Sequence, residues 1–154
     1  MYTAYRIGSK PANEEGTTVY HQNARYIRQK KISQDPRQYF DKCIITELEH
    51  QISRCKVALM IDVNQDVRAG HFNQPMNDIG LINIISNTVQ KTLPATHHRG
   101  SKPMSSIYAF SMIHTTRSGI LPKGQGVRGD HRNMYVDLTT SSTLGTYMYQ
   151  IVNE

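Results

Sequence analysis

Lys56-Val57-Ala58-Leu59-Met60-Ile61-Asp62-Val63-Asn64-Gln65-Asp66 is the stretch whose reading decides the fold. An apolar run stops at Asp62-Val63-Asn64 and gives way to a polar turn. The run is short, contains β-branched residues and has polar flanks, so it reads as a buried strand over 57–63. Side chains alternate along a strand, which puts Asp62 and Asn64 on the same side at its end. A carboxylate beside a carboxamide suits a hard cation or a phosphate. The first supplies charge, and the second supplies a neutral oxygen or an N–H donor. The same pair also suits an Asx turn, in which both side chains serve only the backbone.

Upstream, Ser33-Gln34-Asp35-Pro36 starts a helix, with Asp35 as cap and Pro36 in the first helical position. Phe40, Ile44, Leu48 and Ile52 then recur every four residues, and the helix ends near Arg54. A helix that runs directly into a buried strand is an α/β unit packed on a sheet. An earlier helix is expected from Thr17 or Thr18 to about Lys31, with Val19, Tyr20, Ala24 and Ile27 on one face. Its Arg25, Arg28, Lys30 and Lys31 form a solvated basic face. Residues 1–7 have the Tyr and Thr content of a strand. Residues 8–16, with Glu14 and Glu15, read as a loop.

Downstream, a helix over about 74–87 is expected to bury Met76, Ile79, Ile82 and Ile85. Residues 93–103 form a polar loop between two prolines, holding His97, His98, Arg99 and Lys102. Strands are expected over 105–111, 115–121 and 132–138, with a Gly-rich basic segment at 123–129. The tail from Thr139 is first Thr/Ser-rich and then Tyr-rich, with no assignable pattern.

The 154 residues suit one domain and can bury a real core. A formal charge of +6 favours polyanionic partners, nucleic acid among them. Nine Tyr, three Phe and no Trp supply rings that stack on bases or pack half-buried sheets. Cys43 and Cys55 are too few for a disulfide framework and lack metal-site spacing. They read as reduced side chains along one helix and favour an intracellular compartment, nucleus and cytoplasm being indistinguishable. No apolar run approaches about 18 residues, so no membrane helix is expected, and the N-terminus has no signal-peptide core.

Two further clusters carry chemistry. Gly129-Asp130-His131-Arg132 follows the Gly-rich segment and opens a strand. A carboxylate next to an imidazole can bind a metal, move a proton or hold a phosphoryl oxygen. Two Asp-bearing strand ends gain meaning when a sheet brings them to one crevice. His97-His98-Arg99 is weaker, because adjacent histidines do not face the same way; a polar loop is the favoured reading. There is no P-loop, no His-Glu-x-x-His zinc motif and no Gly-x-Ser-x-Gly elbow.

The order of these motifs resembles the C-terminal part of the endonuclease/exonuclease/phosphatase family, the DNase I-like nucleases and their relatives. The family's Gly-Asp-x-Asn stands here as Ile61-Asp62-Val63-Asn64, its Pro-Thr segment as Pro94-Ala95-Thr96, and its Ser-Asp-His as Gly129-Asp130-His131. Its strand opening Asp-x-Ile stands as Ser105-Ser106-Ile107. Thr3-Ala4-Tyr5-Arg6 resembles the strand whose Tyr contacts phosphate in several members. Arg99-Gly100-Ser101-Lys102-Pro103 resembles endonuclease-like proteins of mobile elements. The resemblance covers about residues 2–138.

It implies an α/β fold, a partial four-layer DNase I-like sandwich whose N-terminal half is absent, and a single incomplete domain over 1–154. It implies a divalent-metal-dependent phosphodiesterase acting on nucleic acid. Asp62 and Asn64 would orient the phosphate and its attacking water. Asp130 would hold Mg²⁺ or Mn²⁺, and His131 would contact the scissile phosphate and assist proton transfer. Tyr5 joins Asn64 and His131 as a phosphate ligand. Ser105 replaces the carboxylate that orients the catalytic His, and a neutral hydroxyl does not stabilise an imidazolium comparably. The family's metal-binding Glu and early Asn have no counterpart, so a missing half or a partner chain is expected to cover the sheet. These departures imply weak or absent turnover, the alternative being a non-catalytic remnant or a basic nucleic-acid-binding module.

Overall fold

The computed structural model describes residues 1–11, 16–69, 71–89 and 93–144. Glu14, Glu15 and the Tyr-rich end of the tail lie outside the described residues. In chain order the elements are β1 (Tyr2–Tyr5), α1 (Val19–Gln29), α2 (Pro36–Ile52), β2 (Ala58–Asp62), α3 (Asn73–Asp78), β3 (Leu81–Asn83), α4 (Ile84–Val89), β4 (Ser105–Phe110), β5 (Thr115–Ile120), β6 (Met134–Leu138) and α5 (Thr140–Leu144). This is a mixed α/β chain with two sheets. None of the described helices is long and apolar enough to cross a membrane.

The helix starts follow the local chemistry. Thr18 caps α1, and the Asp35 carboxylate accepts from the Arg37 and Gln38 N–H groups at 2.9 and 3.3 Å to cap α2. The other Asp35 oxygen accepts from the Tyr20 hydroxyl at 2.9 Å, which ties α1 to the start of α2. Leu48 is fully buried on the inner face of α2, with Phe40, Ile44, Ile45 and Ile52 partly buried beside it. Cys43 lies on α2 and Cys55 just beyond its end; both are free and exposed.

β2 is the inner strand that organises the larger sheet, ordered β1–β2–β4–β3. β1 runs parallel to β2, and β4 runs antiparallel to both β2 and β3. Val57, Leu59, Ile61 and Val63 are fully buried in the core with Ile107, Ala109, Leu81 and Met76. Ala58, Met60 and Asp62 alternate onto the other, half-open face. β5 and β6 pair antiparallel as a separate two-stranded sheet, with an irregularity between Thr115 and Arg117.

The helix expected over 74–87 does not form. The segment makes the short helix α3, a turn, the strand β3 and the short helix α4. Gly80 adopts φ +80°, a left-handed conformation that ends α3. Leu81 and Ile82 then pair with Phe110 and Ala109 of β4. Met76 and Ile85 are buried as expected, but Ile82 points outward at 37% exposure. The apolar spacing fits a helix, yet the open edge of β4 gives Leu81, the β-branched Ile82 and Asn83 a ladder to join.

A buried arginine fixes the end of β1 to β2. Arg6 makes a two-pronged ion pair with Asp41 of α2. It also donates to the Val63 carbonyl and the Gln65 amide oxygen, at 3.3 and 3.0 Å, and lies over the Phe72 ring. Arg37 donates to the Asn64 carbonyl at 3.1 Å from the same side. Burial, with the nearby Arg6 charge, lowers the pKa of Arg37 from its ordinary value.

Candidate active site

Register builds the site. Tyr5 of β1 is level with Asp62 of β2, and Asp62 is level with Ser105 of β4. Residues level across neighbouring strands share a face, so Tyr5, Asp62 and Ser105 form one row along the end of the sheet. The next row inward holds Thr3, Met60 and Ile107. An open cleft of about 610 Å³ lies over this end, with Tyr5, Asp62, Asn64, Ser105, Asp130 and His131 all in its wall. His97, Arg132, Met60, Met104 and Met134 complete much of that wall.

Two loops bring the second half of the site across. Thr96 is fully buried, and its hydroxyl accepts from the Met104 and Ser105 N–H groups at 2.8 and 3.1 Å. The Arg132 N–H donates to the Thr96 carbonyl, and the His98 N–H to the Asp130 carbonyl, both at 2.7 Å. His97 and His131 thereby face each other as an isolated antiparallel bridge. Their rings meet edge to face, with centroids 5.1 Å apart.

His131 is held at both ring nitrogens. Nδ1 lies 3.2 Å from the Ser105 hydroxyl, and Nε2 lies 3.5 Å from Asp62 Oδ2. The other Asp62 oxygen accepts from the Asn64 N–H at 3.0 Å. The Asx turn is therefore real, and it occupies one carboxylate oxygen while the second faces the imidazole. Asn64 sits at φ +52°, a left-handed position that asparagine tolerates. Its amide N–H donates to the Arg6 carbonyl, which locks strand end to strand end. Tyr5 is more than half exposed at the cleft edge.

Asp130 is the most open member, with its side chain 76% exposed, and its Oδ2 lies 3.5 Å from His97 Nε2. His97, Asp130 and His131 each offer a donor atom, and these atoms lie within 4.8 Å of one another. His97 was assigned to a polar loop from sequence, and the structure adds it to the site. No local sequence signal marks it; the bridge to residue 131 sets its place. On the two loops that carry His97 and Asp130, Arg99, Lys102, Lys123 and Arg128 are exposed. Arg132 is half-buried, and its Nε–H has no acceptor.

The arrangement can hold an anion against Arg132 and the amide end, move a proton at His131, and stabilise positive charge there through Asp62. No family model, curated protein or solved structure matches the chain.

Proposed function

We propose that this cleft is a phosphodiester site of the DNase I-like type, acting slowly on nucleic acid with the divalent-ion dependence that the resemblance implies. The observation that carries the reading is the row Tyr5–Asp62–Ser105 with His131 standing over it, because four residues named by motif order alone meet at one strand end. In this reading the phosphate rests between Tyr5, Asn64 and Arg132. His131 Nε2 takes or gives the proton, and Asp62 offsets the charge that develops on the ring. Ser105 orients the ring but adds no charge, which is why turnover is slow. The finer fold assignment, a partial four-layer sandwich, belongs to the same proposal.

The family's usual ion, Mg²⁺, prefers an octahedron of oxygen atoms. The donor group around Asp130 offers two imidazole nitrogens and one carboxylate. That set does not fit Mg²⁺, so the ion of this reading would rest on the Asp130 carboxylate with water and phosphate oxygens, leaving His131 Nε2 for the proton.

The test is nicking of supercoiled plasmid with Mg²⁺, with Mn²⁺ and with EDTA, beside Asp62→Ala and His131→Ala. Slow ion-dependent nicking lost in both variants is expected. Nicking at the wild-type rate in folded Asp62→Ala would refute the assignment. A second reading, binding without cleavage, is favoured by the neutral Ser105 and by the exposed Arg99, Lys102, Lys123 and Arg128 of the neighbouring loops. It requires DNA affinity in EDTA that falls steeply with salt, about 0.9 logarithmic units per neutralised phosphate for each tenfold rise, and that ignores Asp62→Ala.

A further inference from the structure

We propose that His97, Asp130 and His131 form a site for a borderline divalent transition ion, of the Zn²⁺ or Co²⁺ kind, in preference to Mg²⁺. Two imidazoles and one carboxylate are ligands of that class, whereas hard ions select all-oxygen sets. The spacing agrees. In a tetrahedral site with bonds of about 2.0–2.2 Å, neighbouring donors lie about 3.3–3.6 Å apart. His97 Nε2 and Asp130 Oδ2 already stand at 3.5 Å. All three donors lie within 4.8 Å, so closing the remaining edges takes at most about 1.5 Å. Asp130 is exposed and free to make that adjustment.

The surroundings suit ligation. The bridge between residues 97 and 131, with the two 2.7 Å backbone bonds beside it, sets both rings on one scaffold. The Ser105 hydroxyl lies 3.2 Å from Nδ1 of His131, the outer contact that ligating histidines usually have, and Nε2, 3.5 Å from Asp62 Oδ2, would turn from that carboxylate to the ion. A serine does this without a charge that would favour the imidazolium, and only the neutral ring binds metal. His97 carries one cost. Its Nδ1 accepts from the Arg99 N–H at 3.2 Å, so ligation through Nε2 moves the proton to Nδ1 and opens that bond. Arg99 is exposed, so its N–H turns to water. Three protein donors leave the remaining positions open to the cleft, as in catalytic rather than structural sites. Ligation and proton transfer at His131 exclude each other, since both need Nε2. Such an ion would therefore silence the acid–base role proposed above.

The experiment is calorimetric titration of the whole chain with Zn²⁺ and Co²⁺, with the visible absorption of bound Co²⁺ reporting a low-coordinate, tetrahedral-type site. One ion per chain is expected, undisturbed by about a 100-fold excess of Mg²⁺. Loss of an outer partner typically weakens metal binding 10–100-fold, so Ser105→Ala should fall in that range. His97→Ala, at a half-buried loop position, and Asp130→Asn, at an exposed one, should weaken it by more, and His98→Ala should not. Absence of binding to the folded chain would overturn the proposal, as would full affinity in His97→Ala or displacement by that Mg²⁺ excess. No nucleic acid is present, so the result is independent of the nicking assay. A chain that binds the ion but cuts nothing removes only the phosphodiesterase reading, and one that cuts but binds no ion removes only this one.

Discussion

Replacing Arg6 by Ala should cost more stability than any surface change in this chain. Arg6 is 5% exposed, and its guanidinium serves Asp41, the Val63 carbonyl and Gln65 together. Removing one partner of a buried pair costs about 3–5 kcal/mol, because the other charge is left without compensation. Asp41 keeps 24% of its side chain in water, which moves the figure toward the lower end. The lost contact with the Phe72 ring, 5.2 Å from the guanidinium carbon, adds about 0.5–1 kcal/mol. The sum is about 3.5–4 kcal/mol, roughly a quarter or more of the 5–15 kcal/mol typical of a domain. Urea unfolding followed by circular dichroism would read it as a lower midpoint at unchanged slope. The paired change Arg6→Met with Asp41→Leu should recover most of the loss, since apolar replacement of both partners removes the orphaned charge. A loss under about 1 kcal/mol for Arg6→Ala would refute the view that this pair fixes the end of β1 to the core.

Two further changes probe the site and the core beneath it. Ser105→Asp, if the starting activity is measurable, should raise nicking about 10-fold or more by placing a carboxylate at His131 Nδ1, now 3.2 Å from the serine hydroxyl; a folded variant with no gain would contradict the geometry. Tyr108→Phe should destabilise the chain by about 1–2 kcal/mol in the same urea assay, because the buried Tyr108 hydroxyl donates to the Asn73 amide oxygen and burial pushes its pKa up; no measurable loss would mean that this hydroxyl is dispensable.

The parts of the fold legible in the sequence are those settled by local chemistry. Asp35-Pro36 starts α2 and Thr18 caps α1 as their side chains dictate, and the apolar run before Asp62 forms β2. The segment at 74–87 was misread because its apolar period is helical while its fate depends on β4, a partner distant in sequence. The same distinction runs through the site. Asp62, Asn64, Ser105 and His131 were recognisable because each stands in a short motif at a strand end. His97 was not, since its place depends on a loop-to-loop bridge with residue 131 that no local pattern encodes. The role of Arg6 as a pin was hidden for a like reason: Asp41 is its partner only after α2 has packed.

Met60, Met104 and Met134 add three thioethers to the wall of the cleft that also holds its polar groups. Unbranched thioethers rearrange at low cost, so this wall conforms to flat rings of differing outline without selecting among them. All three are only half-buried and so within reach of peroxide. Oxidation would convert each to a sulfoxide, a polar and chiral group, and would change a yielding apolar surface into a hydrogen-bonding one. The cleft thus carries an oxidant sensitivity in its apolar side chains, reversible by sulfoxide reduction.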